Sequence, residues 1–288
     1  MTDLTLRNEF ISEPHLPTEL SGTQCVAFED ELLICGGFTH IHCYSYHTKL
    51  KAYRRIRSYP DSLNQMRGHV VIACSTLLHH KANEHEIILL SFGGKNGHCQ
   101  SHTLMMKYHS VWNDKQKQLN EWISLINEQT KEKLALREYI DGTRACIGGT
   151  NLNLLFITYQ KKMDILDLNN FQYLQTEIKL PQTYLYHCMV PFQYFDVNLP
   201  NYFILMQQNQ CLLLKFDEAT LSMKVEKLPF PNGLKGTIGY GYVCVLGHIV
   251  LFGGRIFNNA TDSVYIYSIA NQNWIKSTFK LPVRMGHS

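Results

Sequence analysis

Ile249-Val250-Leu251-Phe252-Gly253-Gly254 is the stretch whose reading decides the fold of this chain. Four apolar residues in a row are too few for a buried helix, and they stop at a double glycine, so they read as a short strand buried on both faces. Outward from it the pattern continues. Residues 240–246 form a strand-like run, and Gly247-His248 turns the chain into the quoted segment. After a polar loop at 255–262, Val264-Tyr265-Ile266-Tyr267-Ser268-Ile269 gives a third strand. Asn271-Gln272-Asn273 turns again, and Trp274-Ile275 opens a fourth strand that is expected to stop at Leu281-Pro282. Four short strands separated by turn residues make one antiparallel sheet.

The same order recurs. Leu32-Leu33-Ile34-Cys35-Gly36-Gly37 and Ile88-Leu89-Leu90-Ser91-Phe92-Gly93-Gly94 end in the same way. Each is followed by a spaced tyrosine and then a second aromatic: Tyr46 and Tyr53, Tyr108 and Trp122, and in the last repeat Tyr267 and Trp274. Two middle repeats are degenerate, with Thr158-Tyr159 and Gln207-Gln208 read in place of the glycines. Gly148-Gly149 follows a first strand and is read as part of a turn. A single Gly-Gly pair fits an ordinary hairpin in any β fold. Three pairs with matching downstream aromatics indicate stacked repeats, in which each sheet has two apolar faces and the aromatics fill the space between sheets.

The motif order (Arg67-Gly68-His69 or Arg284-Met285-Gly286-His287, apolar strand, Gly-Gly, spaced Tyr, spaced Trp, Leu-Pro) resembles the kelch repeat, whose period is about 50 residues. The resemblance covers residue 20 to the end and is strongest in the first, second and fifth repeats. It implies an all-β kelch-type β-propeller of four-stranded antiparallel blades. The blades fall at about 20–60, 66–127, 142–181, 184–229 and 236–282, with 284–288 opening a sixth. Residues 1–19 form a lead in which 10–17 reads as a ring-closing strand. Because the sixth blade would lack its middle strands, the expectation is an arc or a strained five-bladed ring. The long polar insertion at 113–142 holds helix formers over 128–139, which predict a short surface helix.

Composition narrows the function classes. The chain has 288 residues, 45% hydrophobic and 18% charged, with a net charge of +3. So mild a charge, with no clustered basic patch, points to neither nucleic acid nor membrane as partner. The start lacks a signal-peptide pattern. The nine cysteines are odd in number and sit mostly inside apolar runs, which predicts free thiols and a cytoplasmic protein.

No catalytic motif is present: there is neither a nucleophile elbow nor a phosphate-binding loop. Cys35, His40, His42 and Cys43 have metal-like spacing, but Cys35 belongs to packing and the histidines to a loop, so neither metal nor cofactor is expected. Some propellers that this chain resembles are copper oxidases with Tyr and His ligands. The pairs Tyr46-His47, Tyr108-His109 and Tyr186-His187 are discounted, because they arise easily among 16 Tyr and 14 His.

Kelch domains that bind acidic peptides grip carboxylates with arginines near the central pocket. Arg67, Arg144 and Arg284 each precede a first strand and are candidates for that role, the alternative being local pairing between blades. His40, His42, His98, His102 and Arg255 complete the candidate partner-binding set. The resemblance thus implies a non-enzymatic protein-interaction module using loops 38–42, 59–65, 95–102, 229–236 and 255–262. Its partner would be another protein, reached in some relatives through a BTB- or F-box-type assembly of which no sign is present in this sequence. The rival reading is an enzyme or small-molecule binder that uses the central channel.

Overall fold

A computed structural model describes residues 11–38, 40–63, 66–74, 76–77, 80–81, 85–95, 102–113, 120–126, 131–136, 141–194 and 197–286. It is a ring of five antiparallel four-stranded blades. The first blade runs in order Gln24–Phe28, Glu31–Cys35, Cys43–His47 and Ala52–Ile56. The second pairs Arg67–Cys74, Glu86–Lys95, His102–His109 and Ile123–Ser124. The third has Arg144–Gly148, Leu154–Asp167 and Gln172–Tyr184. Its middle element doubles back at the left-handed Gln160 (φ 46°), and the Leu168 amide donates to the Asn153 carbonyl at 2.8 Å, so it supplies both inner strands. Cys188–Tyr194, Val197–Gln207, Gln210–Asp217 and Ser222–Leu228 make the fourth. The fifth has Gly241–Val245, His248–Phe252, Asn259–Ser268 and Asn273–Met285, with the short strand Arg255–Ile256 paired to the start of its third.

Strand alternation explains why the inner strands read as unbroken apolar runs. Leu89 packs toward the first blade, with Leu33, Ile56 and Met106, while Ile88 and Leu90 pack toward Leu155 and Ile157 of the third. Phe203 and Leu205 meet Phe156 of the third blade, and Ile204 and Met206 meet Ile249 and Leu251 of the fifth. The motif aromatics lie where the repeat predicts. Tyr267 stands opposite Trp274 and Tyr46 opposite Tyr53 in register, with ring centroids 4.9 and 4.7 Å apart. Trp122 stacks on Tyr59 at 4.4 Å. Tyr108 donates at 2.6 Å to the buried carboxylate of Glu31, which ties the first blade to the second.

Among the described residues no core cluster joins the fifth blade to the first. Residues 11–20 lie instead along the free side of the first blade as irregular chain, where 10–17 had been expected as a strand. Thr18 meets the Tyr44 hydroxyl at 2.7 Å, and Glu13 accepts from Tyr46 and pairs with Lys51 at 2.8 Å. At the other end, Arg284 and Met285 continue the fifth blade rather than open a sixth. Register shifts around Ser263 carry the strand past Leu281-Pro282 until Met285 pairs with Thr261, and the Met285 carbonyl accepts the Gly254 amide at 2.7 Å.

The expected helix over 128–139 is overturned in its described part. Ile126 bridges Lys133, and the Leu134 amide donates to Leu125 at 2.9 Å, so 131–136 is not helical. Leu125 and Leu136 enter the core between the second and third blades, and that burial outweighs local helix propensity.

The degenerate blades keep the backbone of the Gly-Gly motif without its glycines. Gly94 and Gly254 have φ of 74° and 93°, and the residues at the same place are Gln160 (46°) and Gln208 (49°). The third-blade substitute is therefore Tyr159-Gln160, one residue later than read from sequence, because Arg144 stands opposite Thr158. A left-handed non-glycine residue carries a strain of about 1–2 kcal/mol. Exposed Gln208 replaced by glycine should raise stability by about 0.5–1 kcal/mol, the larger unfolded-state entropy of glycine offsetting part of the relief. An unchanged or lowered urea midpoint for Gln208→Gly would refute this.

Candidate functional site

Near the ring axis each blade has one left-handed residue at or just before the start of its first strand. These are Gly22, Gly68, Gly142, Tyr186 and Gly239, all left-handed, with φ of 65°, 68°, 69°, 52° and 61°. Neighbouring blades are laced there by backbone: the Gly142 amide donates to Gly68 at 3.1 Å and the Tyr186 amide to Gly142 at 2.9 Å. Four of the five positions are glycine because the turn needs positive φ where the backbones approach closely. Tyr186 is the exception, and a strained bulky residue at a ring mouth marks a place where a side chain is wanted.

What that side chain does is visible. The Tyr186 hydroxyl donates to Asp141, and Arg67 Nε donates to the Tyr186 oxygen at 3.0 Å while lying 3.4 Å from the Asp141 carboxylate. Burial, followed by the hydrogen bond to Asp141, pushes the Tyr186 phenol up to about 12, so it stays neutral at physiological pH. The Arg67 guanidinium also lies over the Phe38 ring, 5.7 Å from its centroid. Its side chain is 53% exposed, which leaves part of its donor fork to solvent.

These groups line a cavity of about 470 Å³ to which four blades contribute. Ser21, Gly22 and Phe38 come from the first, Arg67 and Gly68 from the second, Tyr186 from the fourth, and Gly239 and Arg255 from the fifth. Arg255 Nε is buried with no hydrogen-bond partner. A buried unpaired cationic donor is costly, and it belongs to an arginine that lines this cavity. A larger groove of about 750 Å³ runs along the outer rim between the first and second blades, but its Arg57 is already engaged by Glu121 at 3.7 Å.

The other sequence candidates separate by position. Arg144 is 7% exposed on the first strand of the third blade, its Nη1 donating to the Thr143 carbonyl at 2.8 Å; it does not line the cavity. Arg284 is exposed, one residue from the Met285 carbonyl that holds Gly254. His40 and His42 stack at 5.5 Å near the rim of the first blade, and His42 Nδ1 lies 3.2 Å from Ser58 Oγ and from Arg55. Burial, then Arg55 and His40, holds the His42 ring below its ordinary value. His102 is a strand residue rather than a loop residue, with Nε2 2.7 Å from Ser91 Oγ. His98 lies outside the described residues. No group of three or more His, Cys, Asp or Glu able to hold a metal is present among the described residues, and no described helix is long and apolar enough to cross a membrane.

Sequence reasoning named Arg67, Arg255 and the Phe38 loop, which line this cavity, weighed Tyr186 only in a discounted Tyr-His pair, and did not name Asp141. The signal for Tyr186 was its place before His187, as Gly68 stands before His69: a tyrosine in a glycine slot.

Comparison with known proteins agrees with the fold. The Kelch motif matches residues 237–277, the stretch that holds the clearest double glycine. The solved structure of YjhT superposes with a TM-score of 0.64 at 12% identity, covering 96% of this chain and 88% of that one. No curated protein matches the sequence.

Proposed function

The chain is a kelch-repeat β-propeller, and from that premise we propose that it is a non-enzymatic interaction module that takes an acidic segment of a partner protein at the mouth of its axis. The observation that carries this reading is the four-blade cavity lined by two arginines, Arg255 and the half-exposed Arg67, with the Phe38 ring under the Arg67 guanidinium. Guanidinium groups suit carboxylates because the planar fork can be met by two oxygens at once. Phe38, 41% exposed, offers apolar contact to the stem of the same ligand. The free cysteines, six of the eight described being buried, support a cytoplasmic location.

The cavity volume also falls in the range of small-molecule pockets, so a small acidic compound is the second reading. Both are tested by fluorescence anisotropy of labelled glutamate-rich, glutamine-rich and lysine-rich peptides against the whole protein, with free dicarboxylates as competitors. The acidic peptide should bind alone of the three, weaken as salt rises, and lose about tenfold or more in affinity in Arg255→Ala, as expected for a hydrogen bond to a charged group. Equal binding of all three peptides would sink the reading. Full displacement by a dicarboxylate, with no added affinity from the peptide, would favour the small molecule.

A further inference from the structure

Cys35 and Cys43 face each other across the inner strands of the first blade, at the root of the loop that carries Phe38. Their register can be resolved further. The Gly36 amide donates to the His42 carbonyl at 3.0 Å, and at the far end of the ladder the Thr48 amide donates to Asp30 at 2.8 Å. Both bonds join even-numbered residues, so Cys35 and Cys43, like Leu33 and Ser45, form a non-hydrogen-bonded pair. In antiparallel sheets these are the pairs whose Cα atoms come within about 4.5 Å, with side chains closest together. That lies inside the Cα range that a disulfide spans, near its short end.

The side chains are arranged to match. Both residues lie on the same face in the core shared with the second blade, at 1% and 0% exposure, and the Cys35 thiol hydrogen-bonds the Cys43 sulfur. Around Cys43 the amides of Gly36 and Tyr59 donate to the His42 and Ile41 carbonyls, each at 3.0 Å, and the Trp122 indole N–H is buried without a hydrogen-bond partner. Burial alone would push the Cys43 thiol up. The hydrogen bond from Cys35 holds Cys43 below its ordinary value against that burial, while donation to Cys43 and burial raise Cys35. The two sulfurs are thus held in contact across the strand pair, in position to be joined.

We propose that Cys35 and Cys43 form a reversible cross-strand disulfide, made by hydrogen peroxide and broken by a dithiol, that stiffens the Phe38 wall of the axial cavity. In the first step the Cys43 thiolate attacks peroxide. An S–O bond forms, the O–O bond breaks, and the hydroxide that leaves takes up a proton to become water. In the second step Cys35 attacks the sulfenic sulfur. The S–S bond forms, the S–O bond breaks, and a second water leaves with the Cys35 proton. Two thiols are oxidised and one peroxide is reduced to two waters. Exchange with a dithiol thiolate breaks the bond and returns both thiols. The staple does not depend on what the cavity binds.

The test uses the whole reduced protein. It is treated with hydrogen peroxide, alkylated under denaturing conditions and digested without reductant for mass spectrometry. A Cys35–Cys43 linked species lighter by two hydrogens, reversed by dithiothreitol, is expected. It should persist in Cys25→Ala, which removes the exposed competitor on the neighbouring strand, and vanish in Cys43→Ala. In the oxidised protein the amides of Phe38 and His40 should exchange with solvent on the order of tenfold more slowly. Recovery of both cysteines as alkylated thiols, or pairing of either with another cysteine, would overturn the disulfide. Unchanged exchange at Phe38 with the link in place would overturn its effect on the cavity wall.

Discussion

Taking the protein from about pH 7.5 to about pH 5 should remove several kcal/mol of stability, through histidines that the fold keeps neutral. His69 and His187 are fully buried, and His102 sits close to His69. Burial lowers His69 to about 4, against the opposing pull of the Met66 and Cys35 carbonyls, and Arg144 lowers it further. His187 is driven well below its ordinary value by burial and then by Arg144, and its Nδ1 has no partner. His102 is lowered to about 3 by burial first and His69 second. The sign follows from the depression. Below the unfolded value of about 6.5 the unfolded chain takes up protons that the folded chain refuses, so the stability is fully present above that pH and is lost as pH falls from there toward the folded values. At pH 5, His69 and His102, with folded values of about 4 and about 3, each contribute a loss of about 2 kcal/mol, and His187 acts in the same direction. A total of about 4 kcal/mol is a large part of the roughly 5–15 kcal/mol that holds a domain together. Most carboxylates do not titrate above pH 5, so the window belongs to the histidines. Urea midpoints across this window should fall steeply, and His187→Gln should flatten the slope. A midpoint that stays level between pH 7 and about pH 5 would show that these rings are already charged in the fold.

Those histidines also show what the sequence could and could not display. Gly253-Gly254 and its repeats were legible because a blade needs a left-handed, uncrowded backbone at the end of its second strand, and glycine meets that need visibly. Gln208 meets the same need without glycine, and Tyr186 stands in a glycine slot at the ring mouth, so composition alone passed over both. His102 read as an exposed loop residue because a polar stretch precedes it, whereas the strand begins at His102 itself and turns the ring onto Ser91. Arg67 and Arg144 read alike, each just before an apolar run. They are separated by three positions along the first strand: Arg67 comes one residue before the left-handed Gly68, and Arg144 two residues after the equivalent Gly142. Convergence is the property that sequence holds least, since Phe38, Arg67, Tyr186 and Arg255 are brought together only by ring geometry. The seam between the fifth and first blades is a further case. Val243 and Ile275, 47% and 55% exposed, carry the apolar pattern of a buried face, and pattern alone does not record which faces find a neighbour.

Two glycines with nearly the same backbone should respond very differently to a single methyl group. Gly68 (φ 68°) and Gly236 (φ 77°) are both left-handed, so alanine at either carries the strain of that conformation, about 1–2 kcal/mol. Their surroundings differ. A Cβ at Gly236 meets nothing within 4 Å. A Cβ at Gly68 would stand 2.2 Å from Asp141 Oδ1 and 2.3 Å from the Gly142 amide nitrogen. The carboxylate can swing away, although that breaks its contact with Arg67 and Tyr186. The amide cannot, because it is the backbone link from the second blade to the third. Accommodating the methyl group therefore means pushing the blades apart at the axis, where the Gly142 amide donates to Gly68 and the Tyr186 amide donates to Gly142. Overpacking of a rigid site costs about 1–3 kcal/mol beyond the strain, and the broken backbone bond adds about 1 kcal/mol more. Gly68→Ala should therefore lose on the order of 4 kcal/mol or fail to fold, and Gly236→Ala should lose about 1 kcal/mol. If urea unfolding found the two variants equally destabilised, backbone conformation alone would explain both, and the close approach of blades at the axis would carry no stability of its own.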